Sequence, residues 1–307
     1  MRLKPHDRVC RPGDSILVPG TEPRADKDPP APTMDLTPRT PDRVPVPQTA
    51  RPNSPQAVTL ADLLESVTVL VLALGPSGSL TQGTGFFISD RHILTNHHVV
   101  AGADDRLIFV ASQAIGSARR AKVVAKSSPP PSEEDLRVDL AVLEIEPAAG
   151  RPFLKLGPTP PKLSTVYVSG YPGFLLTRDA QFQEFLRSLL TNLQKANNNE
   201  ELARQPLRVP GADLKLGRIN NIMESGANLL PILVHDMQLA EGNSGGPLVD
   251  ACGRLGGVNT LLFKSSQGSQ QGNVAQDVSI VLKFLLDQHI PLQRDDTPCQ
   301  PTVEAQR

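Results

Sequence analysis

The segment with the clearest chemical signature runs from Glu241 to Leu248 and reads EGNSGGPL. A serine hydroxyl attacks a carbonyl only when a base accepts its proton and hydrogen-bond donors stabilise the negative charge that develops on the carbonyl oxygen. Gly242 lies two residues before Ser244 and lets the backbone turn so that the N–H groups of both residues point into one site. The segment therefore predicts a nucleophilic serine with backbone donors at Gly242 and Ser244.

A base and an orienting carboxylate are available in two earlier segments. The segment ILTNHHVV (Ile93–Val100) places His97 and His98 where an apolar strand ends, and Asp139 opens another apolar strand. An aspartate in such a position holds an imidazole in one tautomer and stabilises the imidazolium form. Each segment alone is also typical of ordinary structure, because histidines end strands and aspartates occur in turns. The order His, then Asp, then Ser, each at the end of a β segment, favours a catalytic set.

The elements that must position these residues are short strands. From about residue 58 onward, apolar runs alternate with Gly, Pro and Asn, and this spacing is typical of an all-β sandwich or barrel. We predict strands in the following segments: Ser66–Leu74, Gly85–Ser89, Ala121–Ala125, Asp139–Glu146, Thr165–Gly170, Leu214–Ile222, Leu229–His235, Gly257–Phe263 and Asn273–Val278.

Two segments break the strand pattern. From Phe182 to Leu193 the apolar residues recur every three or four positions, which is the periodicity of one face of a helix. This predicted helix lies within an insertion of about residues 174–211 and has Asp179 as its expected N-cap. A second helix, Ser279–His289, is predicted near the C-terminus, where Pro291 stops it.

Composition excludes several classes of function. The 307 residues carry 31 Lys+Arg against 32 Asp+Glu, so the chain has no global field that would attract nucleic acid or an anionic membrane surface. No apolar run approaches the roughly 20 residues that a bilayer-spanning helix needs. The three cysteines include no CxxC pair, and we therefore expect no structural zinc site.

Residues 1–57 differ from the rest of the chain. They contain thirteen of the 30 prolines and no Phe, Tyr or Trp, so we predict a disordered, proline-rich tail. Met1 to His6 is not followed by the apolar run that a secretory signal requires. As the sequence is written we expect a cytoplasmic protein, and an exported one if the natural start lies elsewhere.

The combined segments resemble the trypsin-like (chymotrypsin-fold) serine proteases, nearest to bacterial HtrA-type peptidases, over about residues 58–290. The matching pieces are GTGFFISDRHILTNHHVV (Gly83–Val100), DLAVLEI (Asp139–Ile145) and GNSGGPLVDACGRLGGVNT (Gly242–Thr260). The resemblance implies two antiparallel six-stranded β-barrels, a helical insertion, a C-terminal helix and a tail at 291–307. It also implies a PDZ module after the protease, but too few residues follow Ser244, and we expect none.

The resemblance implies a serine endopeptidase that acts on polypeptides through an acyl-enzyme intermediate, with no metal and no cofactor. Ser244 would be the nucleophile, His98 the general base and Asp139 the orienting carboxylate, with an oxyanion hole formed by the N–H groups of Gly242 and Ser244. The family pattern places the base three residues after a threonine, which selects His98 and leaves His97 as the alternative. A catalytically silent binding module on the same fold is the alternative function.

Specificity is less constrained by the resemblance. Counting back from Ser244 places Gln238 at the base of the primary specificity pocket, with Thr260 and Leu262 on its wall. None of these provides a buried acid for Arg or Lys, so a preference for basic side chains is not expected.

The resemblance also suggests a role for two cysteines and for the insertion. Cys252 and Cys299 would form a disulfide that pins the C-terminal segment, and two free thiols are the alternative. The insertion would border the cleft between the barrels. Its apolar helix face either packs on the outer barrel wall or covers the cleft as a lid that moves when substrate binds.

Overall fold

Two antiparallel β-sheets form the core of the computed structural model, which describes residues 58–75, 79–128, 138–196, 210–225, 229–260 and 273–299. The predicted tail at 1–57 lies outside these residues. The first sheet contains β1 (Thr68–Leu74), β2 (Leu80–Phe87), β3 (His92–Thr95), β4 (Ile108–Ala111), β5 (Arg119–Arg120), β6 (Lys122–Lys126) and β7 (Ala141–Glu144). The second contains β8 (Thr165–Gly170), β9 (Asp213–Ser225), β10 (Leu230–His235), β11 (Pro247–Asp250), β12 (Leu255–Thr260) and β13 (Val274–Asp277).

The first sheet has the strand order β5-β4-β1-β2-β3-β7-β6 and curls into a half-barrel. Its two edge strands, β5 and β6, are consecutive in the chain and are separated by Ala121, whose N–H donates to the carbonyl of Ile108 at 2.9 Å. One bent segment therefore supplies both edges. The first sheet has seven strands where six were predicted, because this segment is divided into two strands at the bend.

The second sheet is a closed barrel of six strands in the order β10-β13-β12-β11-β8-β9, which confirms the predicted architecture. β11 lies between β8 and β12, with Leu248 opposite Val168 on one side and Gly257 on the other. Apolar side chains such as Val168, Leu233 and Leu248 fill its interior. Gly246, which precedes β11 in the chain, is therefore held at the rim of a packed barrel.

Strand β1 is apolar on both faces because both faces are covered. Val69, Val71 and Ala73 point into the interior of the first sheet, and Leu70 and Leu72 point to its outer side. Six of its seven residues are buried, which explains why the run TVLVLAL lacks the polar alternation of a half-exposed strand.

The five helices in the described part of the chain are α1 (Leu60–Val67), α2 (His97–Val100), α3 (Gly173–Leu176), α4 (Ala180–Ala196) and α5 (Val278–Asp287). The prediction of a strand from Ser66 was wrong for its first two residues, which end α1. Thr59 caps this helix, because its hydroxyl accepts the N–H of Asp62 at 3.1 Å while the Asp62 carboxylate accepts the N–H of Thr59 at 3.0 Å. This reciprocal capping box favours a helix start that the apolar pattern alone does not reveal.

Helices α1 and α5 contribute to one cluster that joins the two sheets. Leu64 of α1 and Phe284 of α5 pack with Phe86, Leu94 and Val258 from the sheets. Asp277 starts α5 by accepting the N–H of Ser279 at 2.8 Å. The helix begins one residue before the predicted start and ends two residues before the predicted end.

Helix α4 lies on the outer wall of the first sheet. Phe182 and Phe185 are each 2% exposed and pack with Leu70, Leu72 and Phe109 of β1 and β4. The lid hypothesis required this apolar face to cover the cleft. The structure buries it on the barrel wall instead, because the outward apolar residues of β1 and β4 need a cover.

Candidate active site

His98 and Asp139 meet where β3 ends and β7 begins. β3 ends at Thr95 and α2 begins two residues later, and Asp139 lies two residues before β7, which pairs with β3. The Nδ1 of His98 is 2.6 Å from Oδ2 of Asp139, and the backbone N–H of His98 donates to Oδ1 at 2.9 Å. An ionised carboxylate can only accept, so Nδ1 carries the ring proton and Nε2 is left free to accept one.

Asp139 is held from both sheets. Thr260 of β12 donates its hydroxyl to Oδ2 at 3.1 Å, and Gln276 of β13 accepts the Asp139 N–H at 3.2 Å. The side-chain amide of Asn96 donates to the Asp139 carbonyl at 2.7 Å. Burial raises the pKa of Asp139, but the hydrogen bonds and charge of His98, with the Thr260 hydroxyl, outweigh it and lower the pKa below its ordinary value. The carboxylate therefore stays ionised at neutral pH.

His97 contacts a different group from His98. Its Nδ1 lies 3.5 Å from the hydroxyl oxygen of Ser127, which also accepts the N–H of Leu140 at 3.2 Å. Burial lowers the pKa of His97, so its ring is neutral near pH 7. Of the two adjacent histidines, the structure brings only His98 to the carboxylate.

Ser244 lies in the loop that enters β11, and it is 8% exposed. Its carbonyl accepts the N–H of Thr84 from β2 at 2.9 Å. Gly245 has φ +85°, and a Cβ at this position would overlap the Thr84 carbonyl and lie 2.9 Å from the backbone nitrogen of Asn96. Glycine is therefore required here, because the loop packs directly on the segment that leads to His98. Among the described residues, Ser244 has no hydrogen bond to the His98 ring; such bonds are often loose without substrate.

The loop before Ser244 is fixed by its carbonyl groups. Glu241 accepts the N–H of Gly173, at the start of α3, with its carbonyl oxygen at 2.7 Å. The peptide is trans, so the N–H of Gly242 points to the opposite side. Gly242 itself has φ +96°, and a Cβ there would overlap the carbonyl oxygen of Tyr171, so only glycine fits.

Two backbone donors of this loop are left unused. Within the described part of the chain, neither the N–H of Gly242 nor that of Ser244 donates to an acceptor, whereas the intervening Asn243 N–H donates to the carbonyl of Ala240 at 3.0 Å. Backbone N–H groups in folded proteins are almost always paired. Two unpaired donors beside one serine hydroxyl form an arrangement suited to binding an oxyanion.

Comparison with known proteins agrees with this geometry. Residues 83–258, more than half of the chain, match the family described as a trypsin-like peptidase domain. The chain belongs to the trypsin-like peptidase family. The match begins at the glycine before Thr84 and ends two residues before Thr260, so it includes the histidine, aspartate and serine segments.

Relatives of this trypsin-like peptidase carry protease names. It is 28% identical over 222 residues to protease Do-like 1 of Arabidopsis thaliana chloroplasts, an alignment that spans 71% of this chain and 41% of the relative. It is 30% identical over 215 residues to a protein of Hahella chejuensis named as a DegP-like periplasmic serine endoprotease, spanning 69% of this chain and 36% of the relative. The chain thus spans about two fifths of the length of these relatives.

Solved structures show the same fold. The serine endoprotease of Yersinia pestis superposes with a TM-score of 0.51 at 25% identity, covering 75% of this chain and 65% of that one. A protease of M. tuberculosis in its active form gives a TM-score of 0.52 at 22% identity, covering 86% of this chain and 97% of that one. At 22% identity, the similarity to the M. tuberculosis protease shows the fold alone.

The residues predicted to line the specificity pocket of this trypsin-like peptidase differ in their exposure and in their contacts. Gln238 is exposed, and its carbonyl accepts the ammonium group of Lys215 at 2.7 Å. Thr260 is buried and donates its hydroxyl to Asp139, a contact that the sequence did not predict. Leu262 lies outside the described residues. The pocket assignment therefore stays a prediction.

Cys252 and Cys299 are bonded in the structure, with an S–S distance of 1.99 Å and 5.8 Å between their Cα atoms. Arg254 lies two residues after Cys252 in the chain, and its guanidinium pairs with the Asp250 carboxylate at 2.6 Å and donates to the carbonyls of Asp295 and Thr297. The disulfide and this arginine attach the segment after α5 to the second barrel. Cys10 lies outside the described residues.

The described residues contain neither a candidate metal site nor a candidate membrane-spanning helix. No group of three or more His, Cys, Asp or Glu side chains there could hold a metal ion. No helix in the part of the chain that the structure describes has both the length and the apolar character needed to cross a membrane.

Sequence reasoning missed the residues that hold the site in place. Thr84, Asn96, Gly173 and Gln276 each make a contact to the Asp139 or Ser244 segments. Only Asn96 stands next to a predicted site residue, and the others are 68 or more residues from the group they contact. Their roles depend on the pairing of distant strands, which local sequence patterns do not encode.

Proposed function

We propose that this trypsin-like peptidase is a serine endopeptidase that cleaves polypeptides through an acyl-enzyme intermediate on Ser244. The observation that carries the proposal is the contact of His98 with both carboxylate oxygens of Asp139, at 2.6 and 2.9 Å. This contact leaves Nε2 of His98 free to accept a proton. A histidine held in this tautomer is the form that can accept a serine proton.

The mechanism follows from the groups present. Ser244 Oγ attacks the scissile carbonyl carbon and transfers its proton to Nε2 of His98, and the ionised Asp139 stabilises the resulting imidazolium. The unused N–H groups of Gly242 and Ser244 donate to the oxyanion. When the C–N bond breaks, His98 returns the proton to the leaving amine and an ester on Ser244 remains. A water molecule, deprotonated by His98, then attacks the ester and releases the acid.

The relatives' names support a polypeptide substrate, and the unpaired loop donors support catalysis over passive binding. A silent binding module has no need of an ionised Asp–His pair beside a serine with two free donors. Such a set is costly to retain because its polar groups are partly buried. A silent binding module would behave differently from a peptidase in two ways. It would bind unfolded polypeptide with unchanged affinity when Ser244 is replaced, and it would release no cleaved product.

Hydrolysis of an unfolded protein substrate by purified variants tests the proposal. Ser244→Ala, His98→Ala and Asp139→Asn should each lower turnover by about 10³-fold or more while circular dichroism shows a folded protein. His97→Ala is the matched control and should retain turnover, because in the described part of the chain its ring contacts the Ser127 hydroxyl and has no hydrogen bond to Asp139. An inactive His97→Ala variant together with a fully active His98→Ala variant would overturn the assignment of the base.

A further inference from the structure

Thr84 is a residue of the first sheet that contacts the serine loop directly. It lies in β2 between Gly83 and Gly85, and it is fully buried at 0% exposure. A Cβ at Gly85 would lie 2.8 Å from a side-chain carbon of Ile93, so glycine at this position lets neighbouring strands pack closely. The strand thereby brings the Thr84 hydroxyl to a loop that is 158 residues away in the sequence.

The Thr84 hydroxyl connects two segments of the second barrel. It donates to the carbonyl of Gly242 at 2.6 Å and accepts the N–H of Tyr171 at 2.9 Å. The backbone N–H of Thr84 donates to the carbonyl of Ser244 at 2.9 Å. Thr84 therefore holds the carbonyls of Gly242 and Ser244, which belong to the peptide groups on either side of the one that carries the Ser244 N–H.

The peptide planes of the loop are fixed by four contacts in succession. The carbonyl of Glu241 is held by the Gly173 N–H at 2.7 Å, and that of Asn243 by the Gly246 N–H at 3.0 Å. The carbonyls of Gly242 and Ser244 accept hydrogen bonds from Thr84. Three of these contacts are backbone to backbone, and the Thr84 hydroxyl is the one side chain among the four.

Gly242 is the point at which this loop can change conformation. Its φ of +96° is accessible to glycine, and glycine adopts negative φ about as readily. Without the hydroxyl, the Gly242 carbonyl and the Tyr171 N–H would both lack a partner in a buried position, which favours rotation of the loop toward other partners. The Gly242 N–H belongs to the preceding peptide group, whose Glu241 carbonyl is held by Gly173, so such a rotation would disturb this donor through the adjoining backbone.

We propose that Thr84 is a positioning residue that holds the two oxyanion-hole donors in their competent orientation from the opposite barrel. The proposal rests on the proposed function, because the donors matter only if an oxyanion forms at Ser244. Thr84 touches neither substrate nor the reacting atoms. Its effect should therefore fall on the transition state, through the loop, and leave ground-state binding of the peptide nearly unchanged.

The test compares Thr84→Val, which keeps the branched shape without the hydroxyl, with Thr84→Ser, which keeps the hydroxyl. Thr68→Val is the matched control, because Thr68 is also fully buried and donates across the barrels to Ser169 at 2.8 Å, and in the part of the chain that the structure describes it has no hydrogen bond to the serine loop. The measurements are kcat and KM on a short chromogenic peptide, the affinity for a peptide aldehyde that forms a tetrahedral adduct, and the unfolding temperature.

We expect Thr84→Val to lose about 10²-fold in kcat and a similar factor in aldehyde affinity, the cost of losing one oxyanion donor. KM should change by less than about threefold. Thr84→Ser should recover most of the activity, and Thr68→Val should match the wild type in kcat. If Thr84→Val does not fold, Thr84→Ala, which relieves any clash, carries the same expectation.

Three outcomes would overturn the inference: an unchanged kcat in Thr84→Val, a loss confined to KM, or an equal loss in Thr68→Val. The proposed function fails separately, in the wild-type sample of the same experiment. A wild-type protein that neither cleaves the peptide nor binds the aldehyde would refute both proposals. A wild-type protein that does both while Thr84→Val behaves identically would refute the inference alone.

Discussion

At the scale of single residues, the position of Asp139 depends on contacts from both barrels. Its carboxylate faces His98 and Thr260, and its backbone groups face Gln276 and Asn96. Asp139 lies outside the strand, since β7 starts two residues later. Its orientation is therefore set by neighbours more than by its own backbone.

We predict that Gln276→Met lowers kcat by roughly tenfold, because the Asp139 N–H loses its acceptor and an unpaired buried donor costs about 1–3 kcal/mol. Gln276 is 2% exposed, so water cannot easily replace the amide. Steady-state kinetics on a chromogenic peptide provide the measurement. Gln288→Met, at an exposed position after α5, is the control. An effect of equal size in both variants would contradict the assigned contact.

A second residue-scale prediction concerns His235, which is 2% exposed in β10. Burial lowers its pKa to about 4 from 6.5, and the nearby polar groups of Asn259 and Asp236 offset only part of this shift. Between pH 6.5 and 4 the unfolded chain therefore binds a proton that the folded chain does not. Stability is complete above pH 6.5 and should fall by about 3 kcal/mol as the pH approaches 4.

Urea unfolding at several pH values checks this prediction. His235→Leu should flatten the decline between pH 6.5 and 4 relative to the wild type. His289→Asn is the control, because His289 is exposed and its φ of +55° is one that asparagine tolerates. A wild type and a His235→Leu variant with parallel pH profiles would show that His235 does not carry the effect.

At the scale of elements, helix α4 stabilises the first sheet from outside. Phe182→Ala should lower the free energy of unfolding by about 3–5 kcal/mol, because the ring is fully buried against β1 and β4. Phe174→Ala, where the ring is 52% exposed, should have little effect. Thermal unfolding measures both. A variant of α4 that selectively raised the cleavage of long polypeptides over a small ester would revive the lid hypothesis.

The segment after α5 is the second element with a testable attachment. In the oxidised protein, Cys299→Ser should lower stability by up to about 4 kcal/mol, since the bond closes a loop with a sequence separation of 47. Cys10→Ser is the control and should leave stability unchanged. Denaturant unfolding with and without reductant supplies the measurement. Equal stability of wild type and Cys299→Ser, with no response to reductant, would contradict a structural role for the bond.

Much of this element structure could be predicted from the chain because it follows local patterns. The strand Thr165–Gly170 was predicted with the bounds that the structure has, and the helix containing Phe182 was found from its periodicity. α1 was missed because its last residues, Ser66 and Val67, continue directly into the apolar run of β1. The motif around Ser244 could be predicted from the sequence because its glycines are needed: Gly242 and Gly245 have positive φ, which few other residues adopt.

At the scale of the whole molecule, the site is assembled from segments that lie far apart in the chain. The first sheet supplies His98, Asp139 and Thr84, and the second barrel supplies the serine loop and Thr260. Contacts such as that between Thr84 and Gly242 arise only when both sheets have formed and packed through α1 and α5. Their absence from the sequence-based predictions therefore has a physical cause, since no local preference specifies them.

Covalent labelling with a fluorophosphonate tests whether Ser244 is a nucleophile activated by His98. We expect one adduct per wild-type chain, mapped by mass spectrometry to the peptide that contains Ser244, and much slower labelling of His98→Ala. Ser244→Ala should take up no label. A folded wild-type protein that remains unlabelled, or a label that persists in Ser244→Ala, would contradict the account.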